Sequence, residues 1–379
     1  MRMLQMKAAI LFFALCVPAL ADLAAGQRAY DSRDYATALS ELLPLAKQGD
    51  ALAQGLLGAM YDQGQAVPQD HREAVRWFRL AAEQGNAFAQ FNLGVAYHDG
   101  QGVPQDYKEA VRWFRLAAEQ GNALAQFNLA VMYRKGQGVQ LEDTEAAKWC
   151  RLAADQGDPD AQAGLGTMYY AGQGVPQDYR EAMRWLRLAG LQGNAVAQSM
   201  LGAIYEEGQD IAPDYKEALR WLRLAAAQEN SVAQRAARLH VGLMYYQGQG
   251  VQQDYKEAMR WYDLAADEGD ADAQLNLGIM YEKGQGVLQD DKEAAKWYRL
   301  AVEQGNAAAQ INLGAMYVSG QGVPQDYIQA HVWFNLAGAG GNAAGIKCRD
   351  LVAGQMTPAQ IAEAQRLARE WKPRAGSAR

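Results

Sequence analysis

Apolar positions along this chain recur with two helical stripes per period. In the stretch from Asn86 to Gly121, Leu93, Gly94 and Tyr97 fall at i, i+1 and i+4. Ala110, Trp113, Phe114, Leu116 and Ala117 form a second stripe. Both spacings place the apolar side chains on one side of a 3.6-residue helix. Between them, Gly100-Gln101-Gly102-Val103-Pro104 is a turn signal. Asp106 and Glu109 stand at capping-box spacing, the Asp capping and the Glu reaching back. Gly121 supplies a left-handed residue at the helix end, and Asn122 caps the next helix. The pattern predicts two antiparallel helices of about 13 residues, each roughly 20 Å long.

This pattern repeats. Trp77, Trp113, Trp149, Trp185, Trp221, Trp261, Trp297 and Trp333 are 36 residues apart, except for one interval of 40. Such a period specifies a solenoid, in which each helix pair buries its apolar face against its neighbours. The expected fold is all-α, a right-handed α-solenoid of stacked antiparallel helix pairs. The first-helix cap position is Asp50, Asn86, Asn122, Asp158, Asn194, Asn230, Asp270, Asn306 and Asn342, as cap chemistry requires. Pro159 follows one cap, at the first helical position. A small residue, Gly58, Gly94, Ala130, Gly166, Gly202, Gly242, Gly278 or Gly314, marks the helix crossing. In the 40-residue repeat the extra four residues read as one added turn, predicting a longer helix near 234–247.

These residues resemble the Sel1-like repeat family, a relative of the tetratricopeptide repeats. The shared pattern is Ala-Gln-x-x-Leu-Gly-x-x-Tyr, Gly-x-Gly-Val, Glu-Ala-x-x-Trp and Leu-Ala-x-x-Gly. Glu229, Asp210 and Val332 depart from it. The expected organisation is a signal segment over 1–21 and a degenerate capping repeat over 22–49. Eight repeats follow over 50–341, one of them (230–269) with the insertion, then capping helices over 342–372 and a frayed tail over 373–379.

Arg2 and Lys7, the apolar run 8–17, and Ala19-Leu20-Ala21 read as a secretory signal cleaved after Ala21. The run is too short to span a bilayer. Leu15 before Cys16 is bulky for a lipobox. The product is expected in the periplasm, without an integral membrane segment. The formal charge of −7 becomes −9 once Arg2 and Lys7 are removed, which disfavours general nucleic-acid binding. Cys150 occupies a core position, and Cys348 lies about five repeats away, too far for a disulfide. Both are expected to remain thiols.

Chemistry-bearing patterns are sparse. His71, His98, His240 and His331 occupy different repeat positions and match no metal-site spacing. No serine lies in G-x-S-x-G or S-x-x-K. The Gly-Gln-Gly loops read as tight turns rather than phosphate or calcium sites. The reading is therefore no catalytic residue, no cofactor and no metal. Some cysteine-rich Sel1 proteins are linked to penicillin binding and hydrolysis. Ala82 and Gln90 stand at positions matching their cysteines, so the resemblance does not extend to that subclass.

Family resemblance places the first helix of each pair along a concave groove. Positions after the repeat Tyr vary most, from Asp62-Gln63 and His98-Asp99 to Arg134-Lys135 and Glu206-Glu207. The predicted site takes a peptide or protein segment. Phe88, Phe91 and Phe127 are its apolar anchors. Asn92 and Asn128 hold a peptide backbone, while His98, Arg134 and Lys135 attract an acidic group. The function expected is a non-catalytic adaptor of the cell envelope. The alternatives are an envelope hydrolase active on cell wall or β-lactams, or a glycan- or lipid-binding protein using the basic row of the second helices. Glu73, Glu109, Glu181 and Glu217 interleave with that row and favour a solvated, paired face.

Overall fold

The computed structural model describes residues 22–208, 212–228 and 232–373. The signal segment, Asp210, Glu229, Asn230 and the tail from 374 lie outside the described residues. The described residues form helices with no strand, and each repeat is a pair of 13-residue helices apart from two exceptions in the second unit.

The chain divides into two compact units, Met1–Asp158 and Pro159–Arg379. The first holds α1 (Leu23–Asp31), α2 (Tyr35–Lys47), α3 (Ala51–Gln63), α4 (His71–Glu83), α5 (Ala87–Asp99), α6 (Tyr107–Glu119), α7 (Ala123–Lys135) and α8 (Asp143–Asp155). The second holds α9 (Pro159–Ala171), α10 (Tyr179–Leu191), α11 (Ala195–Glu207), α12 (Tyr215–Ala226), α13 (Val232–Gln247) and α14 (Tyr255–Asp267). It continues with α15 (Ala271–Lys283), α16 (Asp291–Glu303), α17 (Ala307–Ser319), α18 (Tyr327–Ala339), α19 (Ala343–Ala353) and α20 (Pro358–Glu370).

The helix starts follow the cap chemistry. Asn86 Oδ1 accepts from Ala89 N at 2.9 Å, and Asn122 does the same for Ala125 N at 2.9 Å. Asp106 accepts from Lys108 N and Glu109 N at 2.9 and 3.2 Å. Glu109 does not reach back as a capping box requires; it turns outward to Arg112 Nη1 at 3.3 Å. The reciprocal box forms at Thr357 and Gln360, which open α20. The two loop glycines have separate duties. Gly100 ends α5 in the left-handed region at φ 73°. Gly102 lies so close to the preceding pair that a Cβ there would overlap the carbonyl of His71. The loop is thus a backbone-to-backbone joint between repeats.

The core is a row of knobs set into glycine holes. A Cβ on Gly94 would stand 2.6 Å from the ring of Phe114, and one on Gly58 2.7 Å from Phe78. In the second unit Leu186, Tyr262, Tyr298 and Phe334 fill the holes at Gly166, Gly242, Gly278 and Gly314 in the same way. The exception is informative. Where the hole residue is Ala130, the knob at the same register is the smaller Cys150, and both are buried. Burial pushes the Cys150 thiol up to about 12. Leu116, expected on the apolar stripe, is instead exposed, as are Leu80 and Leu152 at its register.

A second repeated device is polar. Gln90 is buried, and its Nε2 donates to the Ala82 carbonyl of the preceding helix at 3.1 Å. Its Oε1 accepts from Gln120 Nε2 at 2.7 Å. Gln126 and Gln156 repeat the arrangement at 3.0 and 2.8 Å. Each relay adds a side-chain donor to a helix-terminal carbonyl that already accepts from the backbone N–H three residues on, as Ala82 does from Gly85 at 3.0 Å, and so ties one helix end to the next helix.

The long helix α13 belongs to the irregular repeat. Here Arg238 takes the register of the buried glutamine, donating to the Ala226 carbonyl at 3.3 Å. Glu268 takes the register of the second glutamine and pairs with Arg238. An ion pair has replaced an amide pair. Farther on, Val332 stands where other repeats place a cation before the tryptophan. It is buried because α20 covers that face of α18, packing Ala364 and Ala368 against it. Trp371 meets Trp333 edge-on, with ring centroids 6.0 Å apart.

Candidate functional site

The first helices of the N-terminal unit carry the candidate face. On α5, Phe88, Asn92, Val95 and Asp99 follow i, i+4, i+7 and i+11, so they share one side of the helix. On α7 the same positions are Leu124, Asn128, Val131 and Lys135. The scaffold leaves this side open: Phe88 is 40% exposed and Leu124 is 50% exposed. The Phe88 ring is held edge-on to Phe78, 6.4 Å between centroids, which fixes its orientation.

The predicted residues separate into three groups. Phe88, Arg134 and Lys135 are exposed. Phe91 and Phe127 are half-buried, and Phe91 lies 5.9 Å from the Phe114 ring, serving the stack. Asn92 and Asn128 are partly open, but each spends one amide hydrogen on its own helix. Asn92 Nδ2 donates to the Phe88 carbonyl, and Asn128 Nδ2 to that of Leu124, both at 2.8 Å. The second N–H and the carbonyl oxygen of each amide stay available. His98 is engaged locally, Nδ1 to Asp99 Oδ1 at 2.6 Å, with its ring 5.4 Å from Tyr107. Arg134 and Lys135, both exposed, lie at the end of α7.

Leu124 was not among the residues the sequence singled out. The signal was present: the column Leu52, Phe88, Leu124 is large and apolar without a break, whereas Asp160, Val196, Asp272 and Ala308 make it mixed later.

The second-helix faces are largely self-paired. Arg76 meets Glu73 at 2.7 Å, Arg184 meets Glu181 at 3.3 Å, and Arg260 meets Glu257 at 2.8 Å. Arg79 and Arg115 donate to the hydroxyls of Tyr97 and Tyr133 at 2.6 Å each. Exposed pairs of this kind contribute about 0–1 kcal/mol. Among the described residues, no helix is long and apolar enough to cross a membrane.

The Sel1 repeat family matches eight segments: 51–86, 87–122, 123–158, 159–194, 195–230, 235–270, 271–306 and 307–342. The chain belongs to the Sel1 repeat family. Residues 231–234 fall between two of the matched segments, and α13, Val232–Gln247, is the longest helix among the described residues at 16 residues. This Sel1 repeat protein is similar to a protective antigen of uropathogenic Escherichia coli strains that displays an SLR fold. The two share 35% identity over 91% of this chain and 82% of that one, with a TM-score of 0.60. It is also similar to a Sel1 repeat protein from Oxalobacter formigenes, at 34% identity over 82% of this chain and 88% of that one, with a TM-score of 0.62. No curated protein matches the chain significantly. Sel1 repeat proteins are generally protein-interaction scaffolds, and the fold is typically non-catalytic.

Proposed function

We propose that this Sel1 repeat protein is a non-catalytic adaptor of the bacterial envelope that docks an extended segment of a partner protein along α5 and α7. The observation carrying this reading is the pair Phe88 and Leu124. Both are large, apolar and exposed, at a position where later repeats also accept Ala or Asp. A residue kept apolar where packing does not ask for it suits an anchor pocket of a partner. Asn92 and Asn128 lie one turn along and offer an N–H and a C=O each to a partner backbone. Arg134 and Lys135 at the helix end favour a carboxylate on the segment's far side. Export to the periplasm rests on the basic start, short apolar run and Ala-Leu-Ala sequence over 1–21.

The test is site-specific photocrosslinking in cells, with the probe at position 88, 124 or 80. The reading expects one shared protein adduct from 88 and 124, none from 80, and loss of the adduct with Arg134→Glu plus Lys135→Glu. Equal adducts from 80, or indifference to the charge reversal, would remove the docking face from α5 and α7.

A further inference from the structure

In the N-terminal cap the tryptophan position of the repeat holds a glutamate. Thirty-six residues before Trp77 stands Glu41, on α2. The knob beside it is regular: Leu42 fills the hole at Gly26 of α1, where a Cβ would stand 2.7 Å from its side chain, as Phe78 fills Gly58. The register is therefore intact, and a carboxylate has replaced an indole within it. Glu41 is half-buried, and its Oε2 accepts from the backbone nitrogen of Asp22 at 2.8 Å.

Asp22 starts the first helix. Its carbonyl accepts from Gly26 N at 2.8 Å, and its side chain caps α1 by accepting from Ala24 N at 2.9 Å. Asp22 is also the residue that follows Ala19-Leu20-Ala21. The two observations are independent, since one concerns the sequence before residue 22 and the other the contacts made from it onward. They meet at the same peptide bond. A cut farther along, after Gly26, would remove the hole that seats Leu42.

We propose that the bond between Ala21 and Asp22 is hydrolysed during export, and that Glu41 then holds the new α-ammonium of Asp22 as the first lock of the solenoid. Water adds across the bond: Ala21 keeps a carboxylate, and Asp22 gains an amine that is an ammonium at pH 7. The cut needs an endopeptidase of the export route, so this proposal rests on the export reading above.

The new charge explains the glutamate. An ammonium on the residue that opens α1 sits at the positive end of the helix dipole, where a cation is disfavoured. One oxygen of the Asp22 carboxylate caps the helix, and the other lies 3.9 Å from Arg28. Glu41 supplies a second carboxylate and turns the contact at the nitrogen into a charge-assisted bond. A tryptophan at position 41 has no acceptor to offer.

Two measurements test this. The intact mass of the protein recovered from the periplasm is expected to correspond to a chain beginning at Asp22; any other start overturns the proposal. The lock is tested on the full chain from residue 22, prepared in vitro, so that it is judged whether or not cells export the protein. Four forms are compared by hydrogen exchange of α1: Asp22 with a free or an acetylated amine, each with Glu41 or Glu41→Gln. With the amine free, Glu41→Gln is expected to speed α1 exchange about fivefold, and with the amine acetylated less than about twofold. Exchange in α4 is unchanged in all four, which shows that the variants fold. Equal acceleration in the free and acetylated chains overturns the lock and leaves the export reading standing.

Discussion

Replacing Gly94 by alanine sets two known effects against each other. Gly94 is helical, within α5, and glycine in a helix interior is disfavoured by about 1 kcal/mol relative to alanine. On helix propensity alone, Gly94→Ala stabilises. The structure gives the opposing term. The new methyl would stand 2.6 and 2.7 Å from two carbons of the Phe114 ring, which is 1% exposed and has no free volume to retreat into. Overpacking a close-packed core costs about 1–3 kcal/mol, and two sub-van-der-Waals contacts on a rigid ring place this case toward the upper end, about 2–3. The net expectation is a loss of about 1–2 kcal/mol. The sign reverses when the knob is trimmed. In a Phe114→Cys background, which copies the native pairing of Ala130 with Cys150, the methyl fills space and Gly94→Ala becomes stabilising by roughly 1 kcal/mol. Long repeat arrays need not unfold in one step, so the readout is native-state hydrogen exchange of α5 and α6 amides. Gly94→Ala is expected to speed exchange about 5- to 30-fold in the native background and to slow it about fivefold in the Phe114→Cys background. Slower exchange in both backgrounds would refute the knob-in-hole account and leave propensity as the controlling term.

The irregular repeat supplies a second cycle: Glu268→Gln strands Arg238, whose side chain is 17% exposed, and is expected to destabilise by about 1–3 kcal/mol. Adding Arg238→Gln rebuilds the amide pair of the other repeats and recovers most of that loss; no recovery on urea unfolding counts against the equivalence. Because burial holds the Cys150 thiol up near 12, it stays protonated at pH 8, and a thiol reagent should modify half-exposed Cys348 at least a hundredfold faster than Cys150 in the folded chain. Comparable rates at the two positions would contradict the assigned burial. His240 is held above its ordinary value, chiefly by its hydrogen bond to Glu206 at 3.0 Å, and burial pushes Asp263 up to about 6. Both folded values are raised, so both contributions are present at low pH and lost on going up. Asp263 loses its share between about 4 and 6, and His240 loses its share from about 6.5 through its higher folded value. Exchange in α13 and α14, corrected for intrinsic rates, should therefore rise from pH 5 to pH 8, with the upper part absent in Glu206→Gln; a flat profile would oppose this.

The helix pairs were legible because their signals are local and repeated: a cap, a turn and a stripe decide each helix, and the period repeats the evidence. The parts that escaped depend on which neighbour a side chain meets. Phe91 and Phe88 are three residues apart and read alike as exposed aromatics, yet Phe91 leans on Phe114 while Phe88 remains open. Leu124 has no aromatic signature to mark it as an anchor, and its exposure follows from the packing of α7 rather than from the local pattern. The buried glutamines appear in the motif of every regular repeat, but their duty shows only when two helices and a carbonyl 8 residues upstream are brought together. Departures from the motif proved more informative than the motif itself. Cys150 with Ala130, Glu268 with Arg238, and Val332 under α20 are each a change answered by a second change elsewhere. Phe88 and Leu124 are different: they are exposed apolar side chains that no second change within the fold accounts for, and this is the physical ground for placing a partner there.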